Sequence, residues 1–397
     1  MDFLIVGNGM FGAATARYLA PHAAITVVGP AAGGTSGVYG AHHDEGRMVG
    51  DLSRDIVWAE LNRLSREGMT DLDPALITPC GALTVTTPGG PPYLRVAAEI
   101  RDRYGADVRV LDVSEVNAAF PMARLDLDET ILYQPTAGHF SPRRYVALAT
   151  QSARADGATI IPASVRNLRV TGAGVEAELH DGRQLRAETA IVATGAFAAG
   201  SDLLTVPVAL RAKSEVYAMA ELDEQQAAEL GQMPCINRTI RNQQLSDLYV
   251  LPPIRYPDGR IYLKCGANTM IDHWLAGPGD VRSWYDSGND VGPLAILREI
   301  LSDLLPSIRV RAWHVRRCAD AYTAHRRPYI DFLQPGRLVV ALGGNGRGAQ
   351  AADAVGQLAA GLALTGQWQS PLPREVFRHV PAHGRWNGMT LLRDQVG

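Results

Sequence analysis

An α/β fold (α+β overall), in which a domain assembled from sequence-distant strand-helix pieces is interleaved with a second domain on a mixed or antiparallel sheet, is predicted by three features. An apolar run at the start meets a glycine string and then a helix-like stretch. Alternating strand and helix patterns return from Pro142 onward. A second glycine-rich turn follows an apolar strand near residue 343.

The first element is Phe3-Leu4-Ile5-Val6, four apolar residues suited to a buried parallel strand. It runs into Gly7-Asn8-Gly9-Met10-Phe11-Gly12, then a helical stretch from Ala13 to Ala20 and a second strand, Ile25 to Val28. Gly7 permits the tight turn, Gly9 admits a pyrophosphate close to the backbone, and Gly12 lets helix and strand approach. Met10 and Phe11 lie within the string, and the helix N-terminus that follows offers unpaired N–H groups that favour an anion. This is a Rossmann-like dinucleotide site. The acidic residue that ordinarily ends the second strand and takes the ribose hydroxyls is replaced by Gly29 and Pro30, so the adenosine is expected on backbone or on later residues.

A Gly/Ser/Thr-rich passage from Gly33 to Gly40 leads to His42-His43-Asp44-Glu45-Gly46-Arg47 and a helix from about Leu52 to Glu67. Beyond Pro74 and Pro79, a strand at Ala82 to Thr86 and a helix near Pro92 to Tyr104 begin the second domain, and Val113-Ser114-Glu115-Val116 reads as another helix start. Pro142 to Asp156 is helical, with Tyr145, Leu148 and Ala149 at helical spacing. Strands are expected at Ala158 to Ile161, at Val175 to Leu179 with a hairpin through Asp181-Gly182 to Gln184, and at Thr189 to Gly195. Polar and aromatic strands around Leu248 to Leu251 and Arg260 to Cys265 belong to the second domain, closed by a helix at Leu294 to Leu305. Arg337 to Leu342 then enters Gly343-Gly344-Asn345-Gly346-Arg347-Gly348 and a small-residue helix from Ala349 to Leu364. The expected division is residues 1–78, 142–208 and 312–369 for the dinucleotide-binding domain, residues 79–141 and 209–311 for the substrate domain, and residues 370–397 for a surface-hugging tail.

Several functions are excluded by composition. The 397 residues carry 38 Lys and Arg against 41 Asp and Glu, a formal charge of -3, so no basic surplus points to nucleic acid. No apolar stretch approaches the ~20 residues of a membrane span. The first strand is too short for a signal-peptide core, and a cytoplasmic monomer or homodimer is expected. Four adjacent side chains at His42 to Glu45 cannot easily converge on one ion, the four cysteines are far apart, and no metal is expected.

The N-terminal glycine motif, the His42-His43 to Arg47 segment, Cys318 followed by Tyr322-Thr323, and the closing glycine turn together resemble the D-amino-acid-oxidase-like flavoproteins, closest to monomeric sarcosine oxidase and N-methyltryptophan oxidase. The resemblance covers Asp2 to Trp368. It implies FAD, which takes a hydride from the carbon beside an amine nitrogen to leave an imine, while O2 reoxidises the flavin and leaves as hydrogen peroxide. It implies that Cys318 carries the FAD as a thioether, and the neighbouring Arg316 and Arg317 are expected to favour a thiolate. It places Lys264 beside the flavin as the oxygen-activating charge; the competing reading is a solvent-facing lysine sharing a strand face with Arg260 and Tyr262. His43 and Arg47, with His42 beside them, match the flavin-proximal basic pair, and Val165, Gly195, Gly344, Asn345, Gly346, Arg347 and Gly348 fall along the cofactor. Tyr249 and Tyr322 match aromatic positions near the substrate. The residues that grip a substrate carboxylate in this subgroup are replaced by Gly50, Gln350 and Asn268, which leaves Arg347, with Arg326 or Arg327 as alternatives, to meet a displaced carboxylate.

Overall fold

The computed structural model describes residues 1–29, 40–87, 89–126, 128–240 and 242–394. Pro30, and the Gly/Ser/Thr-rich passage up to residue 39, lie outside them.

Apolar four-residue runs form the centre of a six-stranded sheet. Its order is Tyr329–Gln334, Leu338–Leu342, Thr189–Val192, Phe3–Val6, Ile25–Val28 and Thr159–Ile161, parallel throughout except for the first strand. Phe3–Val6 is buried along its whole length because helices cover the sheet. The helices Met10–Leu19 and Ala352–Thr365 approach so closely that a Cβ on Gly356 would stand 2.2 Å from the Ala14 Cβ. Pro142–Ala155, capped by the Ser141 hydroxyl, is the helix expected from the Tyr145 and Ala149 spacing.

Asp353 ties these helices together. Its Oδ1 accepts from Arg17 Nη1 and from the Tyr145 hydroxyl, each at 2.7 Å, and its Oδ2 accepts from the Tyr18 hydroxyl. Burial pushes this carboxyl pKa up in spite of Arg17.

The second sheet has nine strands and is mixed. Its path is Trp274–Leu275, Leu210–Leu222, Ile261–Gly266, Asp247–Arg255, Cys235–Thr239, Ala82–Thr86, Thr130–Gln134 and Arg109–Leu111, with Ala312–Thr323 along the other edge of Leu210–Leu222. The pairing of Cys235–Thr239 with Ala82–Thr86 is parallel and the rest are antiparallel. Small three-stranded sheets flank it: Arg47–Val49, Gly138–Phe140 and Ile77–Pro79 in one, and the meander Val165–Thr171, Gly174–Leu179 and Gln184–Ala187 in the other.

Five differences from the sequence expectations stand out. Ala312–Thr323, grouped by its position with the dinucleotide-binding segments, bonds from end to end with Leu210–Leu222, so the crossing into the six-stranded sheet comes after Thr323. The helix after the last glycine turn begins at Ala352 rather than Ala349, because Arg347 and Ala352 first close tighter turns onto Gly344 and Ala349. The helix expected from Leu52 spans Ile56–Leu72, started where Asp55 caps Val57 and Trp58. A helix at Pro278–Ser287 was missed, hidden by its Gly277-Pro278-Gly279 start. The tail does more than lie on the surface: Phe377 and Leu391 are fully buried, and Met389 and Leu392 reach the central cavity.

Candidate active site

The two glycine turns, more than three hundred residues apart in sequence, are in contact. Gly7 adopts φ +108°, and a Cβ there would stand 2.5 Å from the Ala193 carbonyl oxygen. In the last turn Gly343, Asn345 and Gly346 all have positive φ, and a Cβ on Gly348 would meet Phe11 of the first turn at 3.2 Å. Asn345 holds that turn to the large sheet. Its backbone N–H donates to Ala321 O, its Oδ1 accepts from the Thr323 N–H at 3.0 Å, and its Nδ2 donates to Gly343 O at 2.6 Å.

Both turns line one cavity of about 1560 Å³. Gly7, Gly9, Met10, Phe11, His42, Arg47, Val165, Gly195, Tyr249, Cys318, Tyr322 and residues 344–348 line it; His43 and Lys264 do not. The helix Met10–Leu19 points an uncapped N-terminus at it, and a Cβ on Gly9 would meet nothing nearer than His42 Nδ1 at 3.7 Å. An uncapped helix start beside a backbone free of side chains suits a pyrophosphate, so these residues fit an extended dinucleotide. Burial lowers the pKa of His42 to about 4 and also lowers that of His43, and Arg143 acts on both, so both rings are neutral at pH 7.

Lys264 is fully buried, which removes the solvent-facing reading. Its ammonium donates to Asp44 and to Gly46 O at 3.0 Å, and it stands 4.2 Å from the Tyr217 ring centre and 5.4 Å from that of Tyr249. Burial first, then the Arg47 guanidinium, drives its pKa well below the usual lysine value, while Cys318, Glu215 and Asp320 oppose them. Asp44 also accepts from Arg47 and from the Tyr256 hydroxyl. Sequence reasoning weighed Asp44 only as a metal ligand; here it is the shared counter-ion of Arg47 and Lys264. Among the described residues no group of three or more His, Cys, Asp or Glu is placed to hold a metal.

Cys318, Asp320 and Tyr322 alternate along one strand and face the cavity together. The expectation of a Cys318 thiolate is corrected. Burial, with Asp320 second, pushes its thiol up to about 12, because Arg316 is exposed and Arg317 is spent on Gly288 O, Tyr285 O and Asp290. The nearest polar atom to Cys318 Sγ in hydrogen-bonding range is Asp320 Oδ1, at 3.9 Å.

The three departures from the family's carboxylate grip acquire physical reasons. A Cβ on Gly50 would already press Gln134 Oε1 and Ala137 at 3.0 Å, so no long side chain fits there. Gln350 accepts from Asn62. Asn268 accepts from Lys213 Nζ at 2.9 Å and donates to Asp247 Oδ2 at 2.7 Å. Asp247 in turn pairs with Arg54 at 3.4 Å, and the Arg54 and Arg347 guanidiniums both act on the buried Tyr93 hydroxyl, lowering its pKa against the effect of burial. Two guanidiniums thus meet at the cavity wall. Burial and the neighbouring Arg54 lower the Arg347 pKa, and among the described residues Arg54 Nε has no hydrogen-bond partner. Arg326 lines the cavity but donates to Gly388 O, and Arg327, which does not line it, pairs with Asp55. Arg54 and Lys213 escaped sequence reasoning: neither sits in a local motif, and only the fold brings them to the site.

A nucleotide-sized cavity between glycine turns, walled by a mixed sheet that supplies buried basic and aromatic side chains, defines a dinucleotide-dependent oxidoreductase. The chain belongs to the DAO family of FAD-dependent oxidoreductases, whose family model matches residues 2–362. Among solved structures, the chain is similar to the Tyr258Phe mutant of NikD, an unusual amino acid oxidase essential for nikkomycin biosynthesis, at 19% identity and TM-score 0.79 over 96% of this chain and 97% of that one. It is similar to glycine oxidase from Geobacillus kaustophilus, at 19% identity and TM-score 0.72 over 95% and 97%. A third similar structure is L-proline dehydrogenase from P. horikoshii, at 16% identity and TM-score 0.76 over 95% and 96%. No curated protein sequence matches the chain. No helix among the described residues is long and apolar enough to cross a membrane.

Proposed function

We propose that this enzyme oxidises the C–N bond of an amine that carries a carboxylate, giving an imine, with O2 taking the two electrons and leaving as hydrogen peroxide. The observation that carries the reading is the Arg54–Arg347 pair. Two guanidiniums repel one another at the wall of the cofactor cavity, Asp247 pairs with Arg54 and only partly offsets the repulsion at Arg347, and an anionic substrate relieves it.

FAD supplies the hydride acceptor and the route to O2. Residues 7–12 and 343–348 would hold it through backbone N–H groups, with Val165, Gly195, His42 and Arg47 along its length. Arg54 and Arg347 grip the carboxylate, the Tyr93 hydroxyl lies within the field of both, and Asp247 fixes Arg54. Tyr249 and Tyr322, both held neutral by burial, pack against the substrate and exclude water. Lys264 places a buried positive charge beside the site. Cys318 is the candidate tether for the flavin, and Asp320 is placed to take its thiol proton. The names of two solved relatives, an amino acid oxidase and glycine oxidase, agree with this reading.

One observation favours a second reading. Asp44 sits on the Lys264 ammonium and neutralises it, which weakens its pull on a developing anion, so the electron acceptor is then a quinone or carrier instead of O2.

The test is to mix the FAD-loaded protein anaerobically with a panel of amino acids, N-alkyl amino acids and the matching amines without a carboxylate, and to follow loss of the flavin's visible absorbance. Reduction by carboxylate-bearing amines alone supports the reading, and reduction by none of the panel overturns it. Peroxide yield under air, against turnover with an artificial acceptor, separates the two readings. Acid denaturation that leaves yellow colour on the peptide containing Cys318 establishes the tether; free FAD in the supernatant removes it.

A further inference from the structure

Cys80 and Cys235 are 155 residues apart in sequence, yet their Sγ atoms lie 3.7 Å from one another. Both thiols are free. Neither lines the cofactor cavity, and no step proposed above uses them. Cys80 follows the strand Ile77–Pro79 and is partly exposed; Cys235 opens the strand Cys235–Thr239 and is buried.

The two backbones are held where a bond needs them. The Cys235 N–H donates to Gly81 O at 3.0 Å, and the N–H groups of Cys80 and Gly81 donate to Ala137 O at 3.2 and 2.8 Å. A disulfide needs ~2.05 Å between the sulfurs, so the 3.7 Å gap is what oxidation has to close. The other two cysteines have no such neighbour: Cys265 reaches only Leu297 O, and Cys318 sits beside Asp320 and Tyr285.

We propose that Cys80 and Cys235 are a redox-active pair that a hydroperoxide converts into a disulfide. The Cys80 thiolate attacks the outer peroxide oxygen, the O–O bond breaks, and hydroxide leaves as Cys80 becomes a sulfenic acid. Cys235 then attacks that sulfur, the S–O bond breaks, and water leaves. In total two thiols and one hydrogen peroxide give one disulfide and two waters. The division of labour follows from the surroundings. Cys80 is the reachable partner, and the hydrogen bond from Cys235 lowers its pKa. Cys235 is sealed in, its pKa raised by burial, and serves as the resolving thiol.

The bond has a structural reach. Cys235 Sγ also lies 3.4 Å from Gly138 O, and Gly138 pairs with both Pro79 and Val49, two residues beyond Arg47 in its strand. The disulfide therefore ties the large sheet to the small sheet that carries Arg47, closing a loop of 155 residues. Under the oxidase reading the oxidant is also the product of turnover, but the pair is tested with added peroxide and stands without that reading.

The experiment treats the purified FAD-loaded protein with hydrogen peroxide and measures intact mass, followed by digestion without reductant. The expected result is loss of two hydrogens, a crosslinked peptide joining Cys80 to Cys235, a raised melting temperature and full reversal by dithiothreitol, with Cys265 still alkylatable. C235S is expected to stop at a Cys80 sulfenic acid that dimedone traps, and C80S is expected to leave Cys235 unmodified. Peroxide treatment that leaves both wild-type thiols free, or that takes Cys80 to sulfinic acid with no crosslink, would overturn the proposal. Dimedone labelling of Cys80 in wild type equal to that in C235S would overturn it as well.

Discussion

Removing one guanidinium at a time from the cavity wall asks whether Arg54 and Arg347 recognise an anion. Each charge-assisted hydrogen bond to a carboxylate is worth about 1.5–3 kcal/mol, which converts to roughly 10- to 150-fold in kcat/KM. The surroundings rank the two sites. Arg347→Ala removes a charge whose pKa burial and Arg54 already depress, so part of its loss is returned as reduced repulsion. Arg54→Ala also strips Asp247 of its ion-pair partner and leaves a carboxylate, hydrogen-bonded by Asn268, close to the bound anion. Arg54→Ala is therefore expected to lose more than Arg347→Ala, and the double variant less than the product of the two. The assay is steady-state turnover of each variant on an acid substrate and on its primary amide. The acid loses the full factor and the amide only a few-fold. Equal losses for acid and amide, or a loss below about threefold in both single variants, would show that the pair is structural.

Lys264→Met deletes the buried ammonium while leaving Asp44 its Arg47 partner; reoxidation of reduced flavin by O2 is expected to slow by about 10²–10³-fold with anaerobic reduction nearly spared, read by stopped flow. An unchanged oxygen rate constant would remove Lys264 from that role. Asp353→Ala leaves Arg17 and two tyrosine hydroxyls without their acceptor, at about 3–5 kcal/mol, and Asp353→Asn, which keeps an acceptor, costs less; both are read by thermal melting, where coincident curves would refute the assignment. His139 has its pKa lowered to about 4 by burial, so between pH ~6.5 and 4 the unfolded chain binds the extra proton and stability falls as pH falls. His139→Gln is expected to move the acid-unfolding midpoint to lower pH by removing up to about 3 kcal/mol of that loss.

What was legible in the sequence is what is local. The strand Phe3–Val6, its glycine turn and the helix from Met10 are fixed by residues within one short stretch, and the same holds for Leu338–Leu342 and its turn. The capping box at Asp112 and Glu115 starts its helix for the same reason. What was not legible depends on partners far along the chain. Ala312–Thr323 looks like any alternating strand until Leu210–Leu222 claims it, and Cys80 looks isolated until Cys235 folds beside it. Arg54 is an unremarkable residue ahead of a helix until Asp247, Tyr93 and Arg347 gather around it. Position on the cavity wall separated His42 from adjacent His43, and burial separated Lys264 from its exposed neighbour Arg260.

The meeting of Phe11 with Gly348 sets an order on events during synthesis. A ribosome adding about 5–20 residues per second makes the first turn long before the second exists, by roughly 20–70 s. Throughout that interval the alanine face of Met10–Leu19 lacks the helix Ala352–Thr365 that covers it. Phe3–Val6 likewise waits for Thr189–Val192 on one side. A nascent chain therefore has nowhere complete to keep a dinucleotide, and cofactor capture reports that translation has run nearly to the end.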